Sequence, residues 1–350
     1  MEHMRAVVID SFGTVPQVRD VPDPRCPPDG VVVRVGATGL CRSDWHGWMG
    51  HDDGITLPHV PGHELAGTVV EAGPRVRGWA PGDRVTVPFV CACGACAACL
   101  AGEQQVCEHQ TQPGFTGWGS FADLVALDHA DVNLVRLPEA MTAVTAASLG
   151  CRFATAYRAL TVHGRVRAGD RVAVHGCGGV GLSAVMIAVD AGARVVALDV
   201  SADARAAALR LGAEVALDPT GLAPGDVAAQ VVQATDGGAH VSVDALGHLA
   251  IALASVLGLR RRGRHVQVGL LLADHARTPL PMDRVVGWEL EVYGSHGMAA
   301  HEYPAMLERV AAGRLRPDLL VGRTIGLDQA PAALAAIDTA TPAWMTVVVP

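Results

Sequence analysis

The sequence predicts an α/β fold in which a mostly-β domain is followed by a domain with a doubly wound parallel sheet. Up to about Gly150, short apolar segments are broken by Gly and Pro, which is typical of strands joined by long loops. After Cys151, compact apolar segments alternate with Ala-rich helical stretches, and this alternation indicates parallel βαβ units. The change near Cys151 therefore predicts one domain over residues 1–152 and a second over residues 153–294.

Each domain contains recognisable elements. The strands predicted in the first domain cover residues 31–37, 67–71, 84–87 and 121–127. The strands predicted in the second domain cover residues 171–175, 195–199, 240–243 and 265–268. A helix over residues 180–191 follows the first of these, and Ser201 can cap a helix that runs to Leu211 and ends at Gly212.

A third segment, residues 295–350, has mixed character. It contains predicted helices over residues 301–312 and 328–337 and a terminal apolar strand over residues 345–349. We expect this segment to rejoin the first domain.

Composition excludes several classes of function. The chain has 350 residues, 50% hydrophobic and 18% charged, so it is long enough to bury two cores. A net charge of -8 without a basic tract argues against nucleic-acid partners and anionic membranes. With no signal-like start and no run of eighteen apolar residues, we expect a cytoplasmic protein.

All 27 basic residues are arginine. A pyridoxal Schiff base, a Walker A lysine and the Tyr/Lys pair of short-chain dehydrogenases all require an amine that arginine cannot replace. These three chemistries are therefore excluded.

Four cysteines in the loop over residues 91–107 predict a structural zinc site. Their spacing is CxxCxxCxxxxxxxC, and the ligands are Cys93, Cys96, Cys99 and Cys107. Four thiolates complete the tetrahedral shell that zinc prefers and leave no position for a substrate. Gly94 and Gly102 permit the positive φ that such a loop needs. The alternatives, disulfides or unrelated buried thiols, fit this spacing less well in a chain without a secretory signal.

A dinucleotide site is predicted where the strand over residues 171–175 meets the helix after it. The turn has the pattern GxGxxG, formed by Gly176, Gly178, Gly179, Val180 and Gly181. Its glycines allow a tight turn and a close approach to a pyrophosphate at the helix N-terminus.

Two residues bear on the choice of dinucleotide. Asp199 ends the next strand, where a carboxylate binds ribose hydroxyls and repels a 2′-phosphate, so NAD(H) is favoured over NADP(H). Arg205 is close enough in sequence to serve NADP(H) instead.

A second metal site is less evident from spacing. Cys41 follows a strand in GLCRSDWH, His63 and Glu64 lie in PGHE, and Cys151 begins GCRFATAY. A catalytic zinc takes three protein ligands and keeps one position for water or substrate, and Cys/His/Cys is one such set. Each signal alone is weak, because a lone His or buried Cys is more often structural.

Together these motifs resemble the zinc-dependent alcohol dehydrogenases of the medium-chain dehydrogenase/reductase superfamily. The resemblance rests on residues 39–44, the PGHE at residues 61–64, the cysteine loop and the glycine turn, and spans nearly the whole chain. It implies a GroES-like catalytic domain, completed by the C-terminal segment, and a Rossmann domain. It further implies two Zn²⁺ per chain, one catalytic and one structural, and a homodimer or homotetramer.

The resemblance also implies site residues. Cys41, His63 and Cys151 would hold the catalytic zinc, with Glu64 beside it as a second-sphere or transient ligand and Asp44 supporting His63. 

In the same family pattern, Ser43 takes the alcohol proton and His46 passes it through the cofactor ribose to solvent. Arg42 matches a residue that meets the pyrophosphate, although a surface role is the alternative.

Four aromatic residues are candidates for the substrate pocket: Trp45, Trp48, Phe89 and Trp118. Phe89 lies four residues before the first cysteine of the loop, where the similar enzymes place an aromatic wall. For the tryptophans, packing within the domain is an equal alternative.

We therefore expect an NAD-dependent zinc alcohol dehydrogenase. It would transfer a hydride reversibly from a zinc-bound alkoxide of a primary, secondary or cyclic alcohol to NAD⁺, giving an aldehyde or ketone. One alternative is a relative acting on polyols, amino alcohols or aldehyde adducts, and another is a zinc-free quinone or enoyl reductase. A non-enzymatic NAD-binding zinc scaffold or redox sensor is the alternative from another class.

Overall fold

The structure is a computed structural model that describes residues 3–272, 275–338 and 344–350. The chain forms two compact units. Unit 1 comprises Met1–Ala154, Gly297–Gly313 and Pro317–Pro350, and unit 2 comprises Thr155–His296 and Arg314–Arg316. The divisions lie two residues beyond the boundaries predicted from sequence, and residues 314–316 leave the C-terminal segment to join unit 2.

The strands, in chain order, are β1 (His3–Val8), β2 (Gln17–Pro22), β3 (Val31–Leu40), β4 (Glu64–Ala72), β5 (Arg84–Thr86), β6 (Leu124–Leu127), β7 (Val135–Arg136), β8 (Arg171–His175), β9 (Arg194–Leu198), β10 (Val215–Leu217), β11 (Ala239–Asp244), β12 (Leu259–Gln267), β13 (Glu291–Gly294), β14 (Val321–Gly326) and β15 (Met345–Val349).

The α-helices, in chain order, are α1 (Arg42–Trp48), α2 (Ala97–Leu100), α3 (Ala130–Asn133), α4 (Ala143–Ala147), α5 (Ala154–Arg158), α6 (Gly179–Asp190), α7 (Ala202–Arg210), α8 (Pro224–Ala234), α9 (Leu249–Leu257), α10 (Met282–Gly287), α11 (Tyr303–Ala311) and α12 (Ala330–Ala335). Two π-helical turns, Leu149–Phe153 and Ala159–His163, flank α5.

Unit 1 is built on a largely antiparallel sheet with the strand order β14-β15-β3-β4-β5-β7, and β6 also pairs with β3. The long strand β3 pairs with β4 from Val31 to Gly39 and with the terminal strand β15 through residues 38–40. Its apolar side chains enter a core shared with β4 and β5. The pairing of β15 with β3 places the end of the chain in unit 1, as the terminal apolar strand predicts.

Unit 2 contains a parallel sheet with the order β10-β9-β8-β11-β12-β13. Strands β9 and β10 are added in turn on one side of β8, and the next strand in the chain, β11, pairs with β8 on its other side. The carboxyl ends of β8 and β11 therefore flank a topological switch point, where α/β sheets bind ligands.

Most elements predicted from the sequence occur with small differences at their ends. The strand predicted over residues 121–127 is shorter, Leu124–Leu127, because Phe121 instead lies in a loop paired by backbone with Val7 and Pro61. The strand predicted over residues 265–268 is longer, beginning at Leu259. None of the helices formed by the described residues has the length and apolar content needed to cross a bilayer.

Candidate metal centres and dinucleotide site

Four side chains from three distant segments of the sequence meet inside unit 1. One ligand atom from each of Cys41, His63, Glu64 and Cys151 lies within 4.8 Å of the others. Cys41 follows β3 and caps α1, and Glu64 begins β4 directly after His63. Cys151 lies in the first π-helical turn, a distortion that often occurs at functional sites. The pairing of β3 with β4 brings the first three residues together.

The environment of His63 fits a metal ligand. Its Nδ1 atom is 2.9 Å from Oδ1 of Asp44, and both side chains are fully buried. In the neutral tautomer that donates Nδ1–H to this carboxylate, Nε2 carries the lone pair. Nε2 is buried and has no hydrogen-bond partner among the described residues. A buried nitrogen of this kind is costly unless it binds something, so the site fits a metal ion.

Asp44 also binds the backbone of two segments besides the imidazole of His63. Its Oδ2 accepts the backbone N–H of Cys41 at 2.8 Å, and its Oδ1 accepts that of Gly62 at 3.1 Å. One buried carboxylate thus fixes both loops that carry the first two ligands. The sequence predicted Asp44 as the support of His63, and the structure places it there.

The two thiols of this cluster interact with each other. A hydrogen bond from Cys151 lowers the pKa of Cys41, and His63 and Arg152 act in the same direction. The same bond and burial raise the pKa of Cys151. The pair therefore carries one thiolate readily, and the second proton would be displaced by a metal ion.

Glu64 is bound by an arginine that the sequence analysis did not select. Nε and the backbone N–H of Arg152 donate to Oε1 at 3.0 and 3.2 Å, and Nη2 binds Oε2. Burial raises the pKa of Glu64, and the charge of Arg152 opposes that shift. The position of Arg152 next to Cys151 in the sequence was the available signal.

Glycines make room for this buried pair. A Cβ atom on Gly39 would lie 2.2 Å from Oε2 of Glu64, and one on Gly150 would lie 2.9 Å from its Cα atom. Both positions therefore require glycine for steric reasons. Tyr303, fully buried, donates its hydroxyl to the carbonyl of Gly150 at 3.1 Å and supports the same turn.

The residues predicted to move a proton lie on or beside α1. Oγ of Ser43 is 3.8 Å from Sγ of Cys41. Nδ1 of His46 is 3.0 Å from Nδ1 of His51, a residue that the sequence analysis did not select. Burial, followed by the charge of His51, lowers the pKa of His46.

Arg42 is engaged within unit 1. Its guanidinium forms an ion pair with Asp338 at 2.9 Å, donates to the carbonyl of Ile337 at 3.3 Å, and stacks on Trp45 at 4.8 Å. These contacts, made by a largely exposed side chain, match the alternative of a surface arginine. Its predicted role at the pyrophosphate stays a prediction.

The aromatic candidates divide into two groups. Phe89 is buried, and its ring centroid is 6.2 Å from that of His63, while Phe115, which was not predicted, is at 5.2 Å. Trp48 instead belongs to a core cluster and donates Nε1–H to the carbonyl of Thr14 at 2.6 Å. Packing, the alternative stated for the tryptophans, therefore describes Trp48.

The other two tryptophans also have structural contacts. Trp45 packs against the same core cluster and lies edge-on to His46. Trp118 donates to the carbonyl of Pro58 at 3.1 Å and lines a separate cavity of about 230 Å³ that also contains Cys91. None of these contacts involves the ligands of the buried cluster.

The predicted loop cysteines also meet. One Sγ atom from each of Cys93, Cys96, Cys99 and Cys107 lies within 4.8 Å of the others. Backbone N–H groups of residues 99 and 108 lower the pKa of Cys96 to about 6, while burial raises that of Cys99 to about 12. A metal ion would displace the remaining protons.

Two features hold this loop in shape. Gly94 and Gly102 have φ of +74° and +86°, as predicted, and a Cβ atom on Gly94 would lie 2.7 Å from Val132. The buried amide of Asn133 accepts the N–H of Ala92 at 2.7 Å and donates to its carbonyl at 2.9 Å. The base of the loop is therefore held by hydrogen bonds that do not involve the cysteines.

The glycine turn of unit 2 has the geometry that the motif predicts. Gly176 has φ of +91°, and Gly178 is the N-cap of α6, where no other atom would lie within 4 Å of an added Cβ atom. A Cβ atom on Gly181 would lie 1.7 Å from the carbonyl oxygen of Gly176. The turn at Gly176 and the close packing at Gly181 thus require glycine, and the open space at Gly178 suits the close approach of a ligand. Gly179 and Val180 form the first turn of α6.

Asp199 lies beside this turn. Its Oδ2 accepts the N–H of Cys177 at 2.7 Å and its Oδ1 accepts that of Ser201 at 2.8 Å. Arg205 donates to the carbonyl of Asp199 at 2.7 Å and pairs with Asp218 at 3.0 Å. The guanidinium is therefore already engaged by backbone and carboxylate.

Comparison with known proteins places these sites in context. The family model described as the alcohol dehydrogenase GroES-like domain matches residues 27–139, and the one described as zinc-binding dehydrogenase matches residues 179–312. The chain is 33% identical over 319 residues to an alcohol dehydrogenase of Geobacillus stearothermophilus, covering 89% of this chain and 90% of that protein.

Solved structures give the same result. A putative zinc-binding dehydrogenase from Sinorhizobium meliloti 1021 bound to NADP superposes with a TM-score of 0.89, at 30% identity over 100% of both chains. A structure described as an NAD-dependent alcohol dehydrogenase has a TM-score of 0.88, at 31% identity over 99% of this chain and 100% of that one. These matches confirm the predicted combination of a GroES-like and a Rossmann domain.

Proposed function

The chain belongs to the zinc-dependent alcohol dehydrogenases of the medium-chain dehydrogenase/reductase superfamily, and from this membership we propose that it transfers a hydride reversibly between an alcohol and NAD⁺. The product is an aldehyde or ketone. The substrate class that we favour is an apolar primary, secondary or cyclic alcohol, because the rings of Phe89 and Phe115 lie beside His63.

The observation that carries the proposal is the Nε2 atom of His63, which has no hydrogen-bond partner among the described residues and lies beside the buried thiol of Cys41 and the half-buried thiol of Cys151. Two thiolates and a neutral imidazole are a ligand set of catalytic zinc, with a fourth position left for water or substrate. We assign Cys41, His63 and Cys151 to this zinc and the four loop cysteines to a second, structural one. Glu64 is held by Arg152 and serves as a buried counter-charge next to the ligands.

Zinc supplies Lewis acidity, which makes a hydroxyl group far more acidic than in water, and nicotinamide supplies the hydride acceptor. The protein's own contribution begins with Phe89 and Phe115, whose rings exclude water beside His63. Excluding water strengthens the electrostatic interactions of the site and favours an alcohol over a water molecule. Asp44 holds the imidazole in one tautomer.

Ser43 and His46 are the residues that we propose for proton transfer. Both belong to α1, three positions apart, so they lie on the same face of the helix. The hydroxyl of Ser43 accepts the proton of the alcohol while releasing its own, and His46 receives a proton for transfer to solvent. The lowered pKa of His46 suits a group that must give its proton up again.

NAD⁺ is the dinucleotide that we propose, although one similar structure was bound to NADP. The carboxylate of Asp199 lies against the glycine turn, where it would repel a 2′-phosphate. Arg205, the residue that could favour NADP⁺, is engaged by the carbonyl of Asp199 and by Asp218. Fluorescence titration with NADH and NADPH tests this choice, and tighter binding of NADPH would contradict it.

The activity is tested by following NADH formation spectroscopically with a panel of alcohols. The panel includes apolar primary, secondary and cyclic alcohols, polyols and amino alcohols, with aldehydes and ketones assayed in the reverse direction. We expect turnover with apolar alcohols. A protein that carries two zinc ions and remains silent across the panel would favour the alternative of a redox sensor or scaffold.

Metal analysis separates the proposal from a zinc-free reductase on the same fold. We expect two zinc ions per chain in the purified protein, and one in the Cys41→Ala variant. A wild-type value of one zinc, located in the cysteine loop, would revive the reductase alternative. Activity that survived in Cys41→Ala would contradict the ligand assignment.

A further inference from the structure

Two histidines at the end of α1 form a pair that leads from half-buried to exposed positions. Nδ1 of His46 lies 3.0 Å from Nδ1 of His51, and the ring centroids are 5.3 Å apart. His46 is half-buried, whereas His51 is exposed to solvent. An Nδ1-to-Nδ1 contact of this length requires one ring to donate and the other to accept, so the two rings share one proton.

The local backbone fixes this geometry. The N–H of His51 donates to the carbonyl of His46 at 3.0 Å, which folds the chain back after the helix. Gly50 makes the turn possible with φ of +74°, and a Cβ atom there would lie 2.9 Å from the ring of Phe12. The two rings are therefore brought together by the chain itself.

Trp45 supports both rings. Its indole lies edge-on to His46 at 5.0 Å and to His51 at 5.6 Å. Arg42 stacks on the same indole at 4.8 Å and is neutralised by Asp338. This packing limits rotation of the imidazoles and keeps their Nδ1 atoms facing each other.

We propose that His51 is the exit residue for the proton that alcohol oxidation releases, receiving it from His46 through their Nδ1 atoms. This inference rests on the proposed function. Oxidation of one alcohol transfers one hydride to NAD⁺ and frees one proton. His46 takes a proton at Nε2 and gives its Nδ1 proton to Nδ1 of His51, which then releases a proton from Nε2 to water or buffer. Exchange with solvent restores the starting tautomers.

The charges around His46 suit this direction of transfer. Burial lowers its pKa most, and His51 and Arg42 lower it further, whereas the Cys41 thiol and Asp338 raise it. A ring that holds a proton weakly passes it on readily to an acceptor at hydrogen-bond distance.

His51→Gln is the variant that tests the exit role, because glutamine can form hydrogen bonds but cannot carry a proton between two ring nitrogens. Proton release is followed with an indicator dye in single-turnover experiments at low buffer concentration. We expect release to slow by about 10-fold, less than the loss of a direct acid–base catalyst because water can substitute in part. The KM for alcohol should stay unchanged, and added imidazole should restore the rate.

His3→Gln is the matched control, since His3 is an exposed histidine on β1 outside the site. It should leave proton release unchanged. Release by His51→Gln at the wild-type rate, without any response to imidazole, would overturn the inference.

A second measurement does not depend on activity. In ¹⁵N-labelled protein, a coupling between the Nδ1 atoms of His46 and His51 across the hydrogen bond would report the shared proton. The pKa of His46 should rise in His51→Gln, because the variant removes a group that lowers it. If the enzyme oxidised alcohols but showed neither the coupling nor the rise in the pKa of His46, only the role of His51 as proton exit would be overturned. Their presence in a protein inactive with every alcohol would contradict the proposed function instead.

Discussion

Among its described residues, unit 1 contains two clusters of side chains that could hold a metal ion, and they are built in opposite ways. The four cysteines of the loop lie within residues 93–107, whereas Cys41, His63 and Cys151 come from three distant segments. The loop offers a complete thiolate shell and partly exposed side chains. The dispersed cluster has two buried members, Cys41 and His63, and a half-buried one, Cys151, with a carboxylate–arginine pair beside them. Ligands that come from one short segment suit a site that stabilises a loop. The ligands proposed for the catalytic site are brought together only when the strands of the sheet pair.

The largest expected effect comes from removing a dispersed ligand. Cys41→Ala should lower kcat/KM roughly a thousandfold or more, because Lewis-acid stabilisation of several kcal/mol is lost. Steady-state kinetics and zinc content measured on the same sample check this result. Cys91→Ala is the control, since Cys91 is a buried cysteine outside both clusters. Equal losses in the two variants would mean that cysteine burial, rather than ligation, explains the effect.

The next effect concerns the buried charges beside the dispersed cluster. Arg152→Gln leaves the fully buried carboxylate of Glu64 without its partner, so the free energy of unfolding should fall by about 3–5 kcal/mol. Urea denaturation measures the change. Arg194→Gln breaks the solvent-exposed pair with Glu214 and should change the free energy of unfolding far less, because water screens that pair. If both variants lost the same amount of stability, the burial of the Arg152–Glu64 pair would not explain the effect of Arg152→Gln.

A smaller effect is expected from changing Asp44, the residue that holds His63 in place. Asp44→Asn keeps the size of the side chain but removes the charge that orients the imidazole, so zinc affinity at the dispersed cluster should fall by about 10–100-fold. Competition with a chromophoric chelator measures it. The cysteine loop of the same variant should retain its zinc. Release of both ions together would indicate general unfolding rather than a local weakening.

The sequence predicted the convergence of the loop cysteines and the conformation of the glycine turn, because each lies in a continuous segment whose spacing reflects its geometry. Gly94, Gly102 and Gly176 adopt the positive φ expected of them. The dispersed ligands were selected through resemblance, since no spacing links residues 41, 63 and 151. 

What the sequence did not predict depends on tertiary contacts. Arg152 pairs with Glu64 only after a π-helical turn meets the start of β4. His51 reaches His46 only because a glycine turn reverses the chain. Trp48 was a candidate for the pocket, but its indole packs in the core, a distinction that composition cannot make.

The smallest effect on activity should come from the loop, and it completes the comparison. Cys99→Ala removes one of four thiolates, so the loop should lose its zinc, while kcat per occupied catalytic site should stay within about twofold of wild type. Asn133 holds the base of the loop independently of the metal, which limits the disturbance to residues near the cysteines. Lowering the pH should release zinc from the wild-type loop in the same way, because protons compete for the thiolates. Zinc content and kcat are measured on the same sample of Cys99→Ala. A loss of kcat as large as that of Cys41→Ala would mean that the two clusters do not have separate roles.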